Sequence, residues 1–207
     1  MRRFLVALVV LFAAACVTHR ALPIRYDLGA SPPRVDPDVR LNATIAIAMI
    51  QAPSWLSTAA LLYRLDYETP SRANAYARSE WTAPPGELLT MRLRERVSAA
   101  NDGFTLDRLP TDTDGYQLRV TLDEFTQVFQ SPRQSQCLVT LSATLIHRDD
   151  RMVAQKTFRM TADAPTGDAA GAVRGFQNAS DSDLAQMVAW LHAYLPIRGA
   201  SRATNVR

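Results

Sequence analysis

Hydrophobic residues recur along this chain in three rhythms, and each predicts a different kind of element. The first is an unbroken apolar run from Phe4 to Ala15. The second is strict alternation. Tyr63, Leu65 and Tyr67 alternate with Arg64 and Asp66; Tyr116, Leu118, Val120 and Leu122 alternate with polar neighbours; Val139, Leu141, Ala143 and Leu145 repeat the pattern. A period of two puts alternate side chains on one face of a strand, so these segments predict β-strands with one buried face. The third rhythm is helical. Leu89, Leu93 and Val97 stand at i, i+4 and i+8 behind Pro84-Pro85, which suit a first helical turn. Val173, Phe176, Leu184, Met187, Val188, Leu191 and Leu195 form a second apolar stripe.

The remaining segments complete one domain. Pro23 to Gly29 reads as a strand, the Pro-rich Ser31 to Arg40 as a loop, and Asn42 to Ile50 as a strand apolar on both faces. Gln51 to Thr58 reads as a loop, and Tyr76 to Trp81 as the partner of the Tyr63 strand. Alternation after Tyr116 breaks at Phe125, which predicts a bulge near Asp123. Arg148-Asp149-Asp150-Arg151 is a turn into a third strand ending near Thr161, making an antiparallel meander. Asp163 to Asp168 is a loop, and Ser180 with Asp183 has the spacing of a capping box, which would split the last helical region in two. Arg92 and Arg96 lie off the apolar stripe of their helix and are expected in solvent. Pro196 stops the last helix, and residues 198–207 are expected to form a disordered tail. The fold class expected is α/β or α+β: a single compact domain over residues 23–197, with a mixed, mostly antiparallel sheet packed against two main helical regions.

The opening run changes the cellular picture. Arg2 and Arg3 precede 12 apolar residues, too short to cross a bilayer, which needs about 20. A charged start, a short apolar core and small residues at its end are the features of a secretory signal. Ala13-Ala14-Ala15-Cys16 resembles the bacterial lipobox, although Ala13 stands where Leu is usual. Residues 1–15 are therefore expected to be a signal peptide, Cys16 the lipid attachment site, and residues 16–22 a lipidated tether; plain secretion with Cys16 as a free thiol is the alternative. One acyl chain binds a membrane only marginally, so firm attachment needs two or more. Val17 replaces the Asp that often retains such proteins at the inner membrane, so by resemblance the expected location is the periplasmic face of the outer membrane. With Cys16 lipidated, Cys137 has no partner within the chain and is expected to be buried and inert.

Charge adds little. The formal net charge is +3, two of those cations lie in the leader, and the rest are dispersed, so no nucleic-acid or acidic partner is indicated. No Gly-rich phosphate loop, nucleophile elbow or His-Glu-x-x-His pattern is present. His19, His147 and His192 have no ligand spacing, and Asp149-Asp150 suits a turn. No catalytic residue, cofactor or metal is expected, although a catalytic set assembled only in space leaves no such trace. The aromatic residues are more informative. Trp55, in a loop after Pro53-Ser54, is followed by Tyr63, Tyr67, Tyr76 and Trp81. They serve either core and sheet packing or a patch for a partner, where Trp, Tyr and Arg dominate binding energy. Trp55, Tyr63, Arg64, Tyr67 and Trp81 are the candidate partner-binding residues.

This stretch also carries a family resemblance. Ala52-Pro53-Ser54-Trp55-Leu56, Tyr63-Arg64-Leu65-Asp66-Tyr67, Tyr76-Ala77 and Trp81 with Pro84-Pro85 resemble the ABC-type transport auxiliary lipoprotein family. Tyr26-Asp27-Leu28-Gly29 and the C-terminal Trp190-Leu191 match as well. The resemblance implies a compact α/β domain with a mixed sheet and no catalytic residues. It further implies action beside an ABC ATPase, a permease and an MCE-family substrate-binding protein, in a system moving lipids or other hydrophobic molecules between membranes. A stand-alone periplasmic lipid-binding or hydrolytic lipoprotein is the other reading, and a homo-oligomer is left open.

Overall fold

A computed structural model describes residues 22–30 and 38–195. The expected signal peptide, Cys16, all of the expected tether but Leu22, residues 31–37, Pro196 and the expected tail lie outside the described residues.

The elements run β1 (Ile24–Tyr26), β2 (Ile45–Ile47), β3 (Ala60–Leu65), β4 (Ala73–Trp81), α1 (Pro85–Ala100), β5 (Thr105–Leu106), β6 (Tyr116–Ser131), β7 (Gln134–His147), β8 (Met152–Asp163) and α2 (Ala169–Tyr194). Eight strands form one curled mixed sheet with two helices, an α+β domain as expected. Strand β6 organises it. One edge of β6 pairs antiparallel with β7 along nearly its whole length, and β7 pairs with β8, giving the meander. The other edge is shared by two parallel neighbours: β2 on the first part (Ile45 opposite Tyr116) and β3 on the last (Tyr63 opposite Gln127). Between them Gln51 alone pairs with β6, its amide donating to Val120 O and its carbonyl accepting from Leu122 N. The predicted bulge lies directly beyond, where the β6–β7 register shifts between Leu122 and Glu124. One extra residue there keeps Leu118, Val120 and Leu122 and then Phe125 all buried, despite their broken parity.

The core lies between the sheet and the helices. Leu89, Leu93 and Val97 are fully buried on α1. Phe125 of β6 stacks on Phe176 of α2 at 4.2 Å between centroids, and Trp81 meets both edge-on at 5.6 Å. Helix α2 approaches β7 closely because Gly175 has no side chain: a Cβ there would stand 2.6 Å from Cys137 Sγ. The Cys137 thiol donates to Ala172 O at 3.1 Å, and burial pushes its pKa up to about 12, so it is the inert cysteine expected.

Two expectations are corrected. Arg92 and Arg96 are not in solvent; Arg92 is only 5% exposed. Helix α2 covers that face of α1 and supplies Asp181, which accepts from Arg92 at 2.7 and 2.9 Å and from Arg96 at 2.6 Å. Arg92 also donates to the carbonyls of Leu28 and Gly29, each at 2.9 Å, so one guanidinium ties the segment after β1 to both helices. Such burial is tolerable because the charge is paired and its donors are used. Helix α2 is also one helix of 26 residues and is not split at Ser180. Ser180 and Asp183 lie mid-helix on its buried face, and among the described residues neither side chain has a hydrogen-bond partner. The cap is Asp168, whose side chain accepts from Gly171 N at 2.8 Å, a bond that holds its carboxyl below the usual range.

Candidate interaction surface

The connection between β2 and β3 builds the surface. Once Gln51 has paired with β6, Pro53 O accepts from Leu56 N at 2.9 Å and Ser57 N at 3.1 Å, closing a tight turn. The Ser57 hydroxyl adds a bond to Ala52 O. Leu56 is buried beneath the turn, which leaves Trp55 on top, 45% exposed. Next to that turn lies an open groove of about 220 Å³, lined by the apolar Met49, Ile50, Leu56 and Pro84 and by the polar Gln51, Ser57 and Glu87. Its floor is held by Thr90, whose hydroxyl accepts from Ile50 N at 2.9 Å and donates to Gly86 O at 2.6 Å. Met49 on the groove and Met91, next to Thr90 on α1, are both exposed, Met91 by 60%. Exposed methionines are unbranched and can adapt to an apolar partner, and an exposed indole can anchor one.

The other sequence candidates separate from Trp55. Trp81 is 1% exposed between Phe125 and Phe176, so it is core and unavailable to a partner. Tyr63 is half-buried, 4.9 Å from Tyr76 and 6.0 Å from Phe129 between ring centroids. Tyr76 donates to Gln127 Oε1 at 2.7 Å and Gln127 to Ser135 at 2.9 Å, and burial raises the Tyr76 hydroxyl well above its ordinary range. Arg64 pairs with Glu124 at 3.3 Å within the sheet. Tyr67 is 41% exposed but lies beyond the end of β3, in the turn closed by Glu68 N and Thr69 N donating to Leu65 O. Trp55 precedes that six-residue strand and Tyr67 follows it, about 20 Å of strand apart. Met49 and Met91 were missed. Met91 carried a signal, being apolar yet off the Leu89–Leu93 stripe; Met49, inside the segment Asn42 to Ile50 that reads as a strand apolar on both faces, carried none.

Asp149 and Asp150 form the β7–β8 turn, with Arg151 N donating to Asp149 and Asp150 at φ +62°. A hydrogen bond from His147 holds the Asp149 carboxyl below its usual range. Among the described residues no group of three or more His, Cys, Asp or Glu is placed to hold a metal ion, and no helix is long and apolar enough to cross a membrane.

A single α+β domain with an open, part-polar groove and an exposed tryptophan on the adjoining turn has the build of a module that meets another surface. The chain belongs to the ABC-type transport auxiliary lipoprotein component family, whose model matches residues 26–188. It is thus a lipoprotein of a family associated with ABC transport, which makes a membrane-anchored, periplasm-facing protein. The fold is similar to that of protein XCC0632 from Xanthomonas campestris, of the DUF330 family, at TM-score 0.65 and 17% identity over 84% of this chain and 94% of that one. An uncharacterised protein matches at TM-score 0.63 and 13% identity, over 82% and 99%. The hypothetical protein CT253 from Chlamydia trachomatis matches at TM-score 0.53 and 6% identity, over 74% and 97%. No curated protein matches the chain.

Proposed function

We propose that the protein is a non-catalytic outer-membrane lipoprotein, anchored through Cys16, that docks an MCE-family protein of an ABC transport system carrying lipids or other hydrophobic molecules across the periplasm. The observation that carries the docking is Trp55, exposed on a closed turn whose neighbouring Leu56 and Ser57 line a groove with Met49. The indole is not needed to close that turn, so its burial is left for a partner.

The test is Trp55→Ala in the lipid-free domain, measuring both melting temperature and capture of the MCE protein. An aromatic buried at a hot spot costs about 2 kcal/mol or more when truncated, roughly thirtyfold in affinity. Weaker capture with unchanged melting is the expected result. A large fall in melting temperature, or capture that does not change, would overturn the docking role.

A further inference from the structure

We propose that the protein stands end-on to the membrane, on the tip of the β3–β4 turn, with Tyr67 in the headgroup layer; this rests on Cys16 being the anchor. Strand β1 runs parallel to β4, with Ile24 opposite Ser79, and both run away from the turn Asp66–Arg72. The chain therefore enters β1 from the side on which that turn lies. Carried back two residues, the register sets Leu22 beside Ala77, and those two residues line one groove with Tyr76.

Reach then decides the matter. From Ala77 to Ala73, β4 continues about 14 Å towards the turn, and the turn itself projects further. Six Cα steps separate Cys16 from Leu22, at most about 20 Å when fully extended. A tether that continued back along the line of β1 would end about level with the tip of the turn, which puts that tip at the bilayer surface.

The chemistry of that end fits a lipid interface. Tyr67 is exposed there, and so are Arg72 on the same turn and Arg133 on the neighbouring β6–β7 turn, brought level by the pairing of Leu65 with Phe129. Leu22, 91% exposed, and Ile24 stand along the approach. Tyrosine is enriched at membrane–water boundaries because its ring is apolar and its hydroxyl wet. Asp66 and Glu68 offset the two arginines, so reach and the aromatic ring, not net charge, set the contact. At the other end of β3, Trp55 is held clear of lipid.

The experiment uses the full lipidated chain in phosphatidylethanolamine–phosphatidylglycerol vesicles containing a doxyl-labelled lipid. An environment-sensitive fluorophore is placed at Tyr67→Cys, at Arg25→Cys on the β1 edge, or at Phe104→Cys at the far end; buried Cys137 does not compete for it. Flotation with the vesicles is measured in parallel. The expected result is that probe 67 loses most of its emission, probe 25 loses less and probe 104 none, while Cys16→Ser abolishes flotation. Protein that floats with probe 67 unquenched, or with probe 25 quenched more strongly, overturns the end-on stance and leaves the anchor intact. A Cys16→Ser chain that still floats overturns the anchor and the stance with it.

Discussion

Asp183 makes the strongest case for a measurable effect at one residue. It lies on the buried stripe of α2, fully covered, and among the described residues no donor reaches either carboxylate oxygen. Helical spacing puts Phe176, Ala179, Met187 and Trp190 around it, all buried. Desolvation by those neighbours pushes the Asp183 pKa from its ordinary 3.8 up to about 7. The native state therefore keeps a proton that the unfolded chain releases. Stability is highest near pH 4 and falls as pH rises towards 7, above which the loss is complete. Three units at about 1.36 kcal/mol each amount to roughly 4 kcal/mol, a large share of a domain's ~5–15 kcal/mol. The perturbation is Asp183→Asn, an amide of the same shape that cannot ionise. Denaturant unfolding of the lipid-free domain should show little difference between variant and parent near pH 4.5, and a gain of a few kcal/mol for the variant near pH 8. The parent alone should weaken between those values, since the depressed carboxyls of Asp168 and Asp149 act in the opposite sense and only below about pH 4. A parent curve that is flat or rising from pH 4.5 to 8, or an asparagine variant with no advantage at the higher pH, would refute the reasoning.

Two further outcomes follow from the helix packing. Arg92→Met strands two carbonyls, Leu28 O and Gly29 O, and leaves Asp181 with Arg96 alone; a loss of about 3 kcal/mol is expected, with the Arg92→Met/Asp181→Asn double variant losing less than the sum. Strictly additive losses would show that the pair is not a unit. Gly175→Ala would gain about 1 kcal/mol from helix propensity alone, but its Cβ would stand 2.6 Å from Cys137 Sγ, so a net loss of about 1–3 kcal/mol is expected. Adding Cys137→Ala should recover most of it by calorimetry, and no recovery would place the strain elsewhere.

What the sequence revealed and what it hid divide along a physical line. The alternation from Tyr116, its break at Phe125 and the Leu89–Leu93–Val97 spacing were legible because each is local, set by the period of one element. Partnership across elements was not. Arg92 and Asp181 are 89 positions apart, and nothing within α1 distinguishes an arginine facing α2 from one facing water. Ser180 and Asp183 misled for a related reason: the i, i+3 spacing of a capping box is also that of two residues on one helical stripe, and only the unbroken hydrogen bonding of α2 separates the cases. Among the aromatics the same limit applies more sharply. Trp55 and Trp81 are the same residue within one stretch, yet Trp81 ends a strand held between β1 and β3 while Trp55 tops a turn that closes without it. Tyr67 shows the consequence for function. It is 12 positions from Trp55 in sequence, but a whole strand lies between them. A surface that joined the two would have to span the length of β3, whereas one that takes only Trp55 faces a protein and one that takes only Tyr67 faces the bilayer. The spacing of the two rings along that strand is therefore the reason to assign them to different partners.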